Sequence, residues 1–166
     1  MSFSVPDKLQ NIWAKSPAPG HTEGESLVEH TYWVLERLAD QYRLRPKLGY
    51  DLSNEHFWHR AFWTGFLHDF GKAAAGFQRQ VHPSDELWGQ RHEVLSLAFV
   101  EWALPEESED WIWIVSSIVS HHRDLDNIRT LYPTDLDPED DALKEMVDEL
   151  PDSVIEGLWE WLESTL

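Results

Sequence analysis

Apolar residues recur at helical spacing along most of this chain. Leu27, Thr31, Val34 and Leu38 form one stripe over Glu25 to Tyr42, which predicts a long amphipathic helix. Pro46 and Gly49 mark a break. Ser53-Asn54 then offers an N-cap for a second long helix through Phe62, Phe66 and Leu67, ended or bent at Gly71. Shorter helical patterns follow over Lys72 to Val81 and Gln90 to Ala103, each stopping before a proline. Ser108 precedes a strongly apolar helix over Asp110 to His121, carrying Ile112, Val115, Ile118 and Val119. Two more helices are expected in the tail, Glu139 to Glu149 and Asp152 to Leu162. Before the first long stripe the chain predicts a short helix around Leu9 to Ala14 and a Pro/Gly-rich loop over Ser16 to Gly24. Between the apolar helix and the tail, the polar segment Arg123 to Asp140 reads as a loop. No repeat and no convincing run of strands is found. The expected fold is all-α, a helical bundle formed by one domain over residues 1–166.

Charge changes the picture more than size does. Thirteen Lys and Arg stand against 31 Asp and Glu, a net charge of −18. A protein that grips nucleic acid alone does so with basic side chains that release counterions. This chain therefore either does not bind nucleic acid or supplies a cutting site while a partner supplies the grip. With no cysteine, disulfides and thiolate metal sites are excluded, and any metal must be held by histidine and carboxylate. No apolar run reaches the roughly 18–20 residues that cross a bilayer, and no secretory signal opens the chain, so a cytoplasmic location is expected.

The candidate chemistry lies in the histidines. His30 sits on the first stripe, His68-Asp69 at the end of the second helix, His92 on a later one, and His121-His122 at the end of the Trp-rich helix. Each lies on or beside an apolar stripe. One inward histidine is ordinarily a satisfied core residue. Five of them with an aspartate, from four helices, would each need a buried partner, and a shared metal site satisfies them together. Imidazole and carboxylate suit Mn, Fe, Co, Ni or Zn better than Mg. Adjacent residues on a regular helix face different ways, but a helix end, with Gly71 close behind, lets His68 and Asp69 reach one centre. Asp69 has two oxygens and can bridge two ions, an arrangement suited to phosphodiester hydrolysis. Lys72, within one turn, either assists at a phosphate oxygen or nucleophile or is a plain surface lysine. The tryptophans, Trp159 and Trp161 among them, read as core or interface residues rather than base-stacking platforms. His21, His56, His59 and His82 read as surface or loop residues. Gly65 to Lys72 is rejected as a phosphate-binding loop, because its glycine spacing is wrong and Ala73 replaces Ser or Thr.

Longer motifs surround these residues: Trp13-Ala14-Lys15-Ser16, Glu25-Ser26-Leu27 before His30, Leu67-His68-Asp69-Phe70-Gly71-Lys72 continuing to Phe77-Gln78, Arg91-His92-Glu93, and Ser120-His121-His122. In this order they resemble the HD nuclease domain of the type I CRISPR-associated nuclease-helicase, within the HD phosphohydrolase superfamily. The resemblance implies an HD-domain helical bundle with a central metal site and metal-dependent cleavage of single-stranded DNA, endo- or exonucleolytic, in antiviral CRISPR interference. It places His30, His68 and Asp69 on one divalent ion and Asp69, His92, His121 and His122 on a second (Mn, Ni, Co, Fe or Mg), with Asp69 and Lys72 catalytic. The implied partners are single-stranded DNA, a helicase domain or chain, and the CRISPR surveillance complex. Two departures stand out. The family's further downstream aspartate has no motif match among Asp135, Asp137, Asp140, Asp141, Asp148 and Asp152, which leaves open a chain that ends short of it, and Arg123 stands where many relatives have glycine. Two rival readings remain, an HD phosphohydrolase acting on nucleotides and a catalytically weak HD module used for docking.

Overall fold

The computed structural model describes residues 6–82, 86–122, 125–132 and 142–165. Two short strands, β1 (Trp13–Lys15) and β2 (Glu25–Ser26), are followed by α1 (Leu27–Leu44), α2 (Leu48–Asp51), α3 (Phe57–Leu67), α4 (Ala75–Val81), α5 (His92–Leu95), α6 (Val100–Ala103), α7 (Trp111–Ser120), α8 (Leu125–Leu131), α9 (Ala142–Asp148) and α10 (Asp152–Glu163). Tight 3₁₀ turns occupy Asp7–Leu9, Phe70–Ala73 and Ser96–Phe99. The fold is an all-α bundle in which α3 lies between α1 and α7. Among the described residues no helix is long and apolar enough to cross a membrane.

α1 begins two residues later than its pattern suggests, because Ser26 closes a capping box. The Glu29 backbone N–H donates to Ser26 Oγ at 3.1 Å and the Ser26 N–H to Glu29 Oε2 at 3.4 Å. Glu25, expected in the long helix, is thereby left in β2, antiparallel to β1, which itself replaces the end of the short helix expected over Leu9 to Ala14. α3 also starts late. Ser53 takes a left-handed backbone (φ 52°) and the short α2 fills the expected break, so neither Ser53 nor Asn54 caps α3. The helix expected over Gln90 to Ala103 is three pieces, α5, a 3₁₀ turn and α6. Within the segment expected to be loop, α8 packs Ile128, and Tyr132 just after it, against the core. Arg123 and the acidic positions Asp135, Asp137, Asp140 and Asp141 lie outside the described residues.

An aromatic cluster sits where α3 gives way to the Phe70–Ala73 turn. The ring of Phe70 lies 5.1 Å from Phe66, 5.5 Å from Phe99 and 5.6 Å from Trp161, all four buried. Such contacts fix the backbone on either side of Asp69 far more firmly than an ordinary helix end. Trp161 faces this core while Trp159 is exposed beside Trp102, as their spacing on one helix requires.

Candidate metal centre

α3 ends at Leu67, and His68 and Asp69 leave the helix with Asp69 at φ −112°, ψ 5°. Two devices hold this break. Ser96, fully buried, donates its hydroxyl to the His68 carbonyl at 2.8 Å and accepts the Gly71 N–H at 2.9 Å. Gly71 lets α5 approach, since a Cβ there would overlap the His92 carbonyl oxygen and stand 2.9 Å from its carbon. Gln78 ties the turn to β1: its Nε2 donates to the carbonyls of Lys72 (2.6 Å) and Trp13 (2.8 Å), and its Oε1 accepts the Trp13 N–H at 2.9 Å.

The six histidine and aspartate positions singled out in the sequence meet around the Asp69 carboxylate, which is 1% exposed. Oδ2 faces His30 Nε2 at 3.1 Å and His68 Nε2 at 3.2 Å, and Oδ1 faces His92 Nε2 at 3.1 Å and His121 Nε2 at 3.9 Å. His122 Nε2 lies 3.2 Å from His92 Nε2. The donor atoms fall into two clusters, His30-His68-Asp69 and His92-His121-His122, each compact enough to surround one ion. His121 and His122, expected to point inward, sit at the exposed rim at the end of α7. Asp148 and Asp152 are exposed and join neither cluster. Lys72, which the sequence left open as a surface residue, is buried, with Nζ 2.8 Å from Asp69 Oδ2.

The far side of each ring explains why the near sides converge. His68 Nδ1 is 2.9 Å from the Gly65 carbonyl and His121 Nδ1 is 2.6 Å from the Ile118 carbonyl, so each Nδ1–H donates there. His30 Nδ1 donates to Glu25 Oε1 at 2.8 Å. These bonds place the proton on Nδ1 and leave the Nε2 lone pair pointing at Asp69. Apart from the Lys72 ion pair at Oδ2, lone pairs then face a carboxylate whose two oxygens are buried and make no hydrogen bond. A buried anion is costly unless compensated. Divalent cations between Asp69 and the imidazoles fit this donor set, whose chemistry is nitrogen and oxygen with no sulfur.

Burial pushes the Asp69 carboxyl up, but in the metal-free protein His30, His68 and His92 donating to it outweigh that and hold it far below the usual carboxylate range. Burial pushes His92, His121 and His122 below the ordinary imidazole value, favouring the neutral ligand form. Asp69 pulls His30 the other way. Glu25 is lifted by burial yet ends below its ordinary value through Lys15 and His30.

Glu25 and Gln78 carry structural tasks that sequence reasoning did not assign, although both stand in the quoted motifs. A second cluster was missed outright. Asp110, 5% exposed at the start of α7, accepts from Arg60 Nε at 2.7 Å and lies 3.0 Å from the Nδ1 atoms of both His56 and His59. His56 and His59, read as surface residues, are half-exposed pins joining α3 to α7.

A helical bundle with a histidine-aspartate pair at a helix break, ringed by imidazoles from neighbouring helices, defines an HD domain. The family described as "Cas3, HD domain" matches residues 13–165, and the chain belongs to that family of CRISPR-associated, metal-dependent HD nucleases. Neither the curated proteins nor the solved structures contain a match.

Proposed function

We propose that this chain hydrolyses phosphodiester bonds of single-stranded DNA during CRISPR interference. One divalent ion would be held by His30, His68 and Asp69, and a second by Asp69, His92, His121 and His122. The observation that carries this reading is the buried Asp69 carboxylate, ion-paired with Lys72 at Oδ2 and faced on its two oxygens by four Nε2 atoms. Bound there, Mn, Ni, Co or Fe ions, or Mg less readily, supply an activated water and stabilise charge on the attacking and leaving oxygens.

The protein's own groups do the positioning. The backbone carbonyls of Gly65 and Ile118 and the carboxylate of Glu25 fix three rings in orientation, so little reorganisation is needed when charge develops. Lys72 holds its ammonium at the Asp69 side of the centre, where it neutralises a phosphate oxygen. His121 and His122, at the rim, lie where a substrate strand enters. The net charge of −18 argues that the DNA is gripped elsewhere, by a helicase domain or chain and the CRISPR surveillance complex in the cytoplasm.

The test is cleavage of labelled single-stranded DNA with manganese or nickel. His68→Ala and Asp69→Ala are expected to abolish cutting with helical circular dichroism retained. Phosphate release from nucleotides without DNA cutting would instead assign a nucleotide phosphohydrolase. Full metal occupancy with hydrolysis of neither would assign a docking module.

A further inference from the structure

Four imidazoles turn Nε2 toward Asp69, and three of them have Nδ1 anchored by an acceptor within 3 Å. The fourth, His92, has no such bond. Beside its Nδ1, at 3.5 Å, stands Glu93 Oε2. Glu93 is fully buried, and Arg91 occupies its other oxygen, with Nε 2.7 Å from Oε1 and a second guanidinium nitrogen also in contact. Oε2 is left without a hydrogen-bond partner. Arg91 is itself held, since its backbone N–H donates at 2.9 Å to the Tyr132 hydroxyl, which donates at 2.7 Å to Gln90. The Arg91 side chain holds the carboxylate beside His92, where a small rotation of the ring would bring Nδ1 within hydrogen-bond range. A buried carboxylate oxygen left unpaired is costly, which favours that closure.

We propose that Glu93 is a positioning residue of the metal centre, whose buried carboxylate takes the His92 Nδ1–H and keeps the Nε2 lone pair turned to the ion held with His121 and His122. This rests on the metal-centre reading above. It adds a carboxylate that touches neither ion nor substrate and governs one of the two sites.

Glu93→Gln is a near-isosteric probe. Arg91 can donate only to the amide oxygen, so the NH₂ group turns to His92 Nδ1, where two donors then face each other. The ring escapes by moving its proton to Nε2, which withdraws the lone pair from the ion. Two measurements read this. Calorimetric titration with Mn²⁺ is expected to show two ions on the wild-type protein. In E93Q the ion on the His92 side weakens about 10–100-fold, and the His30-His68-Asp69 ion is unchanged, with His92→Ala marking the one-ion titration. Nitrogen-correlated NMR of the Zn²⁺-loaded wild-type protein is expected to show a protected His92 Nδ1–H that E93Q lacks. Should E93Q fail to fold, the wild-type spectrum still decides, because an unprotonated His92 Nδ1 overturns the proposal. Equal affinity for both ions in E93Q, with the Nδ1–H retained, also overturns it. Wild-type protein that takes up no divalent ion sinks this proposal and the functional reading together. Two ions bound without DNA cutting sinks only the functional reading, and the E93Q titration then stands as the test of Glu93.

Discussion

Gly71→Ala tests whether the centre depends on the close approach of α5 to the Phe70–Ala73 turn. Gly71 does not use a left-handed backbone, so the glycine requirement is one of space alone. The added Cβ would stand 2.9 Å from the His92 carbonyl carbon and from the Ser96 nitrogen, and closer still to the His92 carbonyl oxygen. Ordinary carbon contacts need about 3.5–4.0 Å, so α5 must retreat by roughly 0.6–1.1 Å to clear these atoms, and at least as far to clear the carbonyl oxygen. All the nearest atoms are backbone, and no side chain can rotate to relieve the overlap. Overpacking of this kind costs about 1–3 kcal/mol, which lowers the melting temperature by about 2–12 °C for a chain of this size. The retreat also carries His92 away from Asp69 Oδ1, now 3.1 Å from its Nε2. A displacement near 1 Å costs about 10²-fold in rate. The assay pairs a thermal melt with Mn²⁺-dependent cleavage of a fluorescent single-stranded oligonucleotide. G71A protein that melts and cuts like the wild type would refute the steric reasoning.

The metal-free protein is expected to be most stable near pH about 6.5, the ordinary histidine value. His30 is raised by Asp69, so its contribution is whole below that value and is lost as pH climbs through its folded pKa. His92, His121 and His122 are lowered by burial, so stability is lost as pH falls below that value toward theirs. A melting temperature that rises steadily from about pH 6 to 9 in chelator contradicts this. Asp110→Ala leaves Arg60 with Asn54 and the Trp113 face and releases two half-exposed histidines, and loss of its charged hydrogen bond to Arg60 costs about 1.5–3 kcal/mol. Denaturant unfolding is expected to show that loss while the two-ion Mn²⁺ titration is unchanged; a change below about 0.5 kcal/mol would mean that the cluster pins nothing. Gln78→Ala removes the three hydrogen bonds that tie the Lys72 carbonyl to β1 and is expected to reduce cleavage at saturating metal with metal affinity retained. Reduced metal affinity with normal turnover would place Gln78 in a different task.

The histidine centre was legible in the sequence because its chemistry is expensive to bury. His30, His68, Asp69, His92, His121 and His122 fall beside apolar stripes, and no set of separate partners would satisfy them. Their ordered motifs then carried both the fold and the family. What was not legible depended on few or short-range signals. β1 and β2 have only three and two residues, too short for alternation to show. α8 lies in a polar segment where Ile128 and Tyr132 supply the packing, and two side chains make no periodic stripe. Asp110 looks like any acid ahead of a helix, and only the fold brings His56, His59 and Arg60 to it. The break at Ser96–Phe99 is tertiary in origin, since Ser96 bonds to the His68 turn rather than to its own helix.

The central claim is that Asp69 divides two ions between two sets of imidazoles. Anomalous diffraction from manganese-soaked crystals tests it most directly. One peak is expected on the Oδ2 side, within ligand distance of His30 and His68, and another on the Oδ1 side near His92, His121 and His122. Peaks only at surface carboxylates, or none near Asp69 at saturating manganese, would contradict it.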